Sequence, residues 1–305
     1  MNICIVGAGA IGGWVAARLA LAGEPVMALT STGPVGQIEL TQGGVTQLAS
    51  MGSFDGAADL LVIAVKATSL AAAAEAATPL IGPDTVIAPM LNGVPWWFVD
   101  GVNLRSVDPD GAIAAALPFE QIVGCVVHAS CRRTGPARIM VNHADKLLIG
   151  EPDGESRERS AHLFGVFDRA GLRPDLTGNI RRSIWYKLWG NATINPLSAL
   201  TRMSCDRILA DPECRAWMLE GMAELAAIGA AIGCPISESG EDRMAVTARL
   251  GAFKTSMLQD VEAGRPIELE ALLGAPREVA RANEIVTPAL DRLYGVTKLM
   301  AESLG

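Results

Sequence analysis

Three glycines at positions 7, 9 and 12 stand in the run Gly7-Ala8-Gly9-Ala10-Ile11-Gly12, a spacing whose chemistry is phosphate binding. Gly7 makes a tight turn, Gly9 lets the backbone approach a pyrophosphate, and Gly12 allows close packing of helix on strand. A helix opening here offers free N–H groups and its dipole to the phosphates. The motif alone is weak, since a Gly/Ala-rich turn can be a mere connection; its surroundings decide. Far along the chain, Lys187, Asn191 and Asn195 recur every four residues, so a helix would carry them as one polar stripe. Their neighbours Trp185, Leu188, Trp189, Ile194 and Leu197 are apolar. Such a stripe lines a cleft or faces solvent, and asparagine, a mediocre helix former, needs a reason to occur twice.

The elements around the glycines support the dinucleotide reading. Residues 3–6 are an apolar run that fits a strand buried on both faces. Residues 11–22 follow at helical spacing with Gly23 as a cap, and residues 26–29 read as the second strand. Strand, glycine turn, helix and strand within about 30 residues form a βαβ unit. Further strands at 60–65 and 85–88 end next to Lys66 and Asn92. In a doubly wound sheet, ligands sit beyond the carboxyl ends of the strands, so both are candidates to meet the cofactor; the alternatives are a solvated strand end and a plain turn.

Residues 121–131, 137–142 and 146–149 read as strands in an antiparallel extension of the sheet, followed by a helix over 155–170. From Asn179 no strand run remains. Asn179 is a good N-cap for a helix through Ile180, Ile184, Leu188 and Ala192, and Pro196 should end or kink it at Asn195. Trp96-Trp97 reads as the start of a core helix. The charged stretch from Lys254 to Glu268 passes for surface. The expected organisation is an α/β, Rossmann-type dinucleotide-binding domain over residues 1–178, then an all-α domain over 179–305.

The chain has 305 residues, half of them hydrophobic, and a formal charge of -8. That charge works against nucleic acid or anionic lipid as partner. No apolar stretch reaches the roughly 20 residues a membrane helix needs, and the N-terminus lacks the basic region of a signal peptide. The six cysteines have neither CxxC spacing nor histidine partners at zinc-binding distances; no metal site is expected, and a cytoplasmic location with reduced thiols is.

Together these pieces make the chain similar, from end to end, to the ketopantoate reductase (2-dehydropantoate 2-reductase) family. The resemblance rests on the glycine motif, Val65-Lys66-Ala67, Leu91-Asn92-Gly93, the block from Lys187 through Asn191, Asn195 and Pro196 to Leu200, and Ser256-Met257-Leu258-Gln259-Asp260 followed by Glu268. It implies NADPH-dependent reduction of a 2-oxo acid, most directly 2-dehydropantoate to pantoate in pantothenate biosynthesis. Lys187 would be the general acid and Glu268 would act at the substrate. Asn191, Asn195 and Ser256 match substrate-binding positions; Asn92 and Lys66 match positions near the nicotinamide and the cofactor phosphates. Glu268 would repel a substrate carboxylate and so should take a substrate hydroxyl, leaving the carboxylate to Ser256 and backbone amides. Many relatives dimerise through the helical domain, so a homodimer is open.

The chain departs from the pattern in places. Residues 29–34 lack the arginine that pairs with a 2′-phosphate, yet also lack the acid that would bind a free ribose; NADP is favoured and NAD stays open. Phe253 and Leu273-Gly274 stand where relatives often carry Asn and Asn-Gly, making the pocket less polar. The alternatives are a reductase of this architecture for another branched 2-oxo or hydroxy acid and, from another class, a non-catalytic NAD(P)-binding sensor.

Overall fold

The computed structural model describes residues 1–249 and 251–303; Leu304 and Gly305, the end of the expected second domain, lie outside the described residues. The chain forms two compact units. One comprises Met1–Leu91 and Gly111–Ile180, the other Asn92–Asp110 and the chain from Arg181 onward.

The first unit opens with β1 (Ile3–Val6), α1 (Ala10–Leu21) and β2 (Val26–Thr30). The short β3 (Gly33–Pro34) and a hairpin of β4 (Gln37–Gln42) and β5 (Val45–Ser50) precede β6 (Leu60–Ile63), α2 (Leu70–Ala77) and β7 (Val86–Pro89). Strand order in the first sheet is β3-β2-β1-β6-β7. Its four main strands are parallel, and β3 runs antiparallel to β2. β1 and β6 are buried at every residue, which is why their sequences are continuously apolar instead of alternating.

The unit continues with α3 (Ala112–Ala116), β8 (Gly124–Gly135), β9 (Arg138–Gly150), α4 (Glu158–Arg169) and β10 (Pro174–Leu176). The expected antiparallel extension is instead a second sheet. Its order is β10-β9-β4-β5, with β8 also paired to β9. β8 and β9 are antiparallel as anticipated, but the two strands expected at 137–142 and 146–149 are one. The pair absorbs the irregularity as register shifts at His128/Ala129 and Ser130/Cys131, a bulge in place of a break. α1 packs on β1 and β2 of one sheet and on β4, β5, β8 and β9 of the other. Covered so widely, it buries Trp14, Val15, Ala16, Ala17 and Leu19 and has no polar face.

The regular elements among the second unit's described residues are all helical: α5 (Ile180–Thr201), α6 (Cys205–Ala210), α7 (Pro212–Ala231), α8 (Gly240–Ala248), α9 (Ser256–Glu262), a π-helical turn at Glu270–Gly274 running into α10 (Ala275–Ala282), and α11 (Pro288–Glu302). Two expectations fail here. Pro196 lies inside α5 and does not end it, because Ile194, Leu197 and Ala199 on either side are buried and that packing outweighs one lost backbone hydrogen bond. Residues 92–110, expected within the first domain, belong to the helical unit. Phe98 stacks on Trp185 of α5 at 5.7 Å between ring centres, and the Arg105 and Ser106 amides donate to Glu278 of α10 at 2.9 and 2.8 Å. Trp96 and Trp97 are buried in this segment, in turns and not in the helix expected of them.

Candidate functional site

The glycine turn fits its sequence reading at each position. Gly7 has φ +97°, and a Cβ there would lie 2.6 Å from Val65 Cγ1, a conformation and a space that only glycine accepts. At Gly12 a Cβ would lie 2.1 Å from the Gly7 carbonyl oxygen, so the first turn of α1 presses directly on the loop. Gly9, the N-cap of α1, differs from both: nothing lies within 4 Å of its Cβ position. The loop is thus closed toward the protein at Gly7 and Gly12 and open at Gly9, where Ala10 and Ile11 begin the helix. Ala8 is fixed by its amide donating to Leu29 O at 3.0 Å. Room at Gly9 beside a helix N-terminus is what a pyrophosphate needs, so these residues fit the pyrophosphate of a dinucleotide.

Lys66 follows β6, directly beyond Val65, the residue that contacts the Gly7 turn. Along β2 and β3, Thr30 Oγ1 donates to the Gly33 carbonyl at 2.9 Å and lies 3.0 Å from Thr32 Oγ1. Ser31 and Thr32 are exposed. The segment offers hydroxyls and no charge of either sign.

In the second unit the rotation of α5 is set by two indoles. Trp185 Nε1 donates to Leu225 O at 3.0 Å and Trp189 Nε1 to Met222 O at 2.7 Å, both on α7. Each lies two residues from Lys187, about 160° around the helix, so anchoring them to α7 turns the Lys187 stripe away from it. Lys187 Nζ donates to Asn92 Oδ1 at 2.9 Å. Burial pulls its pKa from 10.5 down to about 8, against the negative charge of Glu268, which favours the ammonium.

A single backbone junction brings the other two groups to this lysine. Gly93 has φ +81°, and a Cβ on it would lie 2.4 Å from Ala271 O; one residue on, the Val94 amide donates to that same oxygen at 2.8 Å. Ala271 lies in the π-helical turn, three residues after Glu268. The Asn92-Gly93 turn is therefore docked on the segment that carries Glu268, whose side chain is buried. Asn195 is buried and Asn191 half-buried. Ser256 is the exposed first residue of α9, whose N-cap is Thr255: the Thr255 hydroxyl accepts from the Leu258 amide at 3.1 Å, leaving Ser256 Oγ outside the cap.

The structure thus unites Lys187, Asn92 and Glu268 in the helical unit, and the glycine loop with Lys66 in the other. In sequence, Asn92 points to the cofactor, since it follows a strand of the first sheet and matches a family position near the nicotinamide; its hydrogen bond to Lys187 is an addition of the structure. Its signal was Gly93, which marks a close approach of backbone. Among the described residues no group of three His, Cys, Asp or Glu could hold a metal ion, all six cysteines are free, and no helix is long and apolar enough to cross a membrane.

Comparison with known proteins gives a consistent result. Residues 3–154 match the family described as "Ketopantoate reductase PanE/ApbA", and residues 179–301 match "Ketopantoate reductase PanE/ApbA C terminal". A 2-dehydropantoate 2-reductase of Mesorhizobium japonicum is 36% identical over 100% of this chain and 99% of its own. The crystal structure of a candidate ketopantoate reductase from Ralstonia solanacearum superposes with a TM-score of 0.93 at 45% identity, covering 99% of this chain and 98% of that one. The 2-dehydropantoate 2-reductase of Methylococcus capsulatus has a TM-score of 0.85 at 27% identity, over 100% of this chain and 98% of its own.

Proposed function

The chain belongs to the ketopantoate reductase family, and from that premise we propose that it reduces 2-dehydropantoate to pantoate, an oxidoreductase reaction at a carbonyl that consumes a nicotinamide dinucleotide. The observation that carries the reading is Lys187: a lysine buried on α5, hydrogen-bonded to Asn92, near Glu268, with its pKa near 8.

A bound reduced nicotinamide supplies the hydride. The rest is proton and charge work by this chain. As the ketone becomes an alkoxide, negative charge grows on its oxygen, and the Lys187 ammonium both stabilises that charge and donates the proton. A pKa near 8 suits the task, since the group is mostly protonated at neutral pH yet gives up its proton far more readily than an exposed lysine. Asn92, a neutral acceptor, aims Nζ without adding a charge that would hold the proton back. Glu268 keeps the ammonium favoured and accepts a hydrogen bond from the substrate hydroxyl; Asn191, Asn195 and Ser256 take the remaining polar groups, Ser256 the carboxylate. In this assignment residues 1–178 serve the dinucleotide through Gly7, Gly9, Gly12 and Lys66, and residues 179–305 serve the substrate. We assign NADPH as the preferred cofactor, because residues 29–34 carry no acid to bind a free ribose and Lys66 supplies a phosphate-directed charge.

The test is oxidation of NADPH and of NADH against a panel of 2-oxo acids with and without a hydroxyl, ketopantoate included. Ketopantoate should give the highest kcat/KM, with NADPH preferred. Equal turnover of branched oxo acids that lack the hydroxyl would overturn the substrate assignment, and an NADH preference the cofactor assignment.

A further inference from the structure

The helical turn that follows Glu268 changes register as the chain approaches Pro276. The Leu272 amide donates four residues back, to Glu268 O at 3.2 Å, as in any α-helix. The Ala275 amide donates five back, to Glu270 O. Proline accounts for the change: in an α register its ring would press on the carbonyl of Leu272, four positions back, and offer that carbonyl no N–H. The π register leaves one oxygen over. Ala271 O would take the Ala275 amide in an α register, but that amide is spent on Glu270; in a π register it would take the amide of residue 276, which proline lacks.

Ala271 is buried, so its carbonyl needs a partner from outside its own helix. That partner is the Val94 amide, at 2.8 Å. Gly93, with positive φ and no room for a Cβ against Ala271, lets the two backbones come this close. Side chains from α10 and α11 brace the turn in its wide form. The Tyr294 hydroxyl of α11 donates to Glu270 Oε1 at 2.7 Å, the Arg277 guanidinium lies 4.0 Å over the Tyr294 ring, and Arg277 Nε donates to Asp291 at 2.6 Å. The second carboxylate oxygen of Glu270 occupies the space that a Cβ on Gly274 would take.

We propose that Pro276 is a positioning residue for Lys187: by withholding an amide it reserves Ala271 O for Val94, and that bond sets the side chain of Asn92, two residues before Val94, against Nζ. The chain of contacts is short. Pro276 acts on Ala271 O, that oxygen on the Val94 amide, and the docked turn on Asn92, whose Oδ1 accepts from Lys187 Nζ at 2.9 Å. All of these residues belong to one compact unit. The consequence for turnover rests on Lys187 being the proton donor; the placement of Asn92 does not.

Pro276→Ala in the full chain tests this, because it supplies the missing amide. Either register then consumes Ala271 O, through residue 276 if the turn stays wide and through Ala275 if it closes. Hydrogen exchange should show the Val94 amide exchanging roughly 5- to 10-fold faster, the loss of one backbone hydrogen bond. NMR titration of isotope-labelled lysine should show the Lys187 pKa falling from about 8 by roughly one pK unit, since an oxygen that accepts from the ammonium favours the charged form. The basic limb of kcat/KM should move down with it. Ala275→Gly loosens the same turn without adding a donor, and should leave Val94 exchange, the Lys187 pKa and the limb near wild type. Wild-type Val94 exchange or a wild-type Lys187 pKa in Pro276→Ala, or shifts of equal size in Ala275→Gly, would overturn the proposal. A lowered Lys187 pKa with an unmoved limb would uphold the placement by Pro276 and overturn Lys187 as the proton donor.

Discussion

Lys187 has its pKa near 8 where an ordinary lysine has 10.5, and burial is the larger cause. As a general acid it must be protonated, so kcat/KM should be level below about pH 8 and fall above it. Lys187→Ala should lower kcat by on the order of 100-fold or more and leave NADPH affinity, measured by fluorescence titration, nearly unchanged. Turnover at the wild-type rate would mean that another group supplies the proton. Asn92 is the neighbour that tunes the limb. Asn92→Asp sets a carboxylate against Nζ in place of a neutral oxygen, and an opposite charge at this range stabilises the ammonium by about 1 to 3 pK units. The basic limb of the pH–rate profile should therefore move upward while the rate on the plateau falls, since the proton is held more tightly. Glu268→Gln acts on recognition: it should weaken turnover of hydroxylated oxo acids by about 1.5 to 3 kcal/mol in kcat/KM, the worth of a hydrogen bond to a charged group, and spare oxo acids without a hydroxyl. An equal loss for both classes would make Glu268 an organiser of Lys187 alone.

Within single elements, glycines of one motif have different tasks, and substitution separates them. Gly12→Ala drives a Cβ to 2.1 Å from a backbone oxygen and should lower stability by roughly 1 to 3 kcal/mol, the cost of overpacking, seen as a lower Tm with or without cofactor. Gly9→Glu meets open space, so its Tm should stay near wild type while NADPH binding disappears; retained binding would remove the pyrophosphate from this loop. The motif was legible in sequence because buried strand, turn and helix agree with one another locally. The β4–β5 hairpin is equally marked, by alternation in residues 37–42 and a Gly-Gly pair, yet a doubly wound reading runs from the strand at 26–29 to the one at 60–65 and has no place for it. Pro196 shows the reverse error. A local rule ended the helix at Asn195, but burial of its neighbours is decided by the second unit as a whole, and tertiary packing overrides propensity.

Across the whole molecule, the chain leaves the first unit at Leu91, returns at Gly111, and leaves again at Ile180. No sequence period announces the excursion, because residues 92–110 contain no regular element; what ties them to the helices is contacts with residues far along the chain, such as Trp185 and Glu278. The excursion also carries Asn92 to Lys187, so the proton-donating arrangement is complete only when residues on both sides of the expected boundary at 178 are present. Cutting there should have two separable effects. A fragment of residues 1–178 keeps both sheets but removes Trp185, on which Phe98 stacks, and the rest of the unit to which Trp96, Trp97 and Phe98 belong, residues exposed by only 4%, 5% and 2% in the intact chain. Newly exposed aromatic clusters of this kind bind apolar dyes and aggregate, so the fragment should bind anilinonaphthalene sulfonate strongly where the full chain does not. Replacing Trp96, Trp97 and Phe98 together by Ser within the fragment should abolish most of that dye binding without lowering its strand content by circular dichroism. Weak dye binding by the unsubstituted fragment would show that residues 92–110 can pack on the sheets alone, and that their place among the helices is a preference of the intact chain and not a condition of folding.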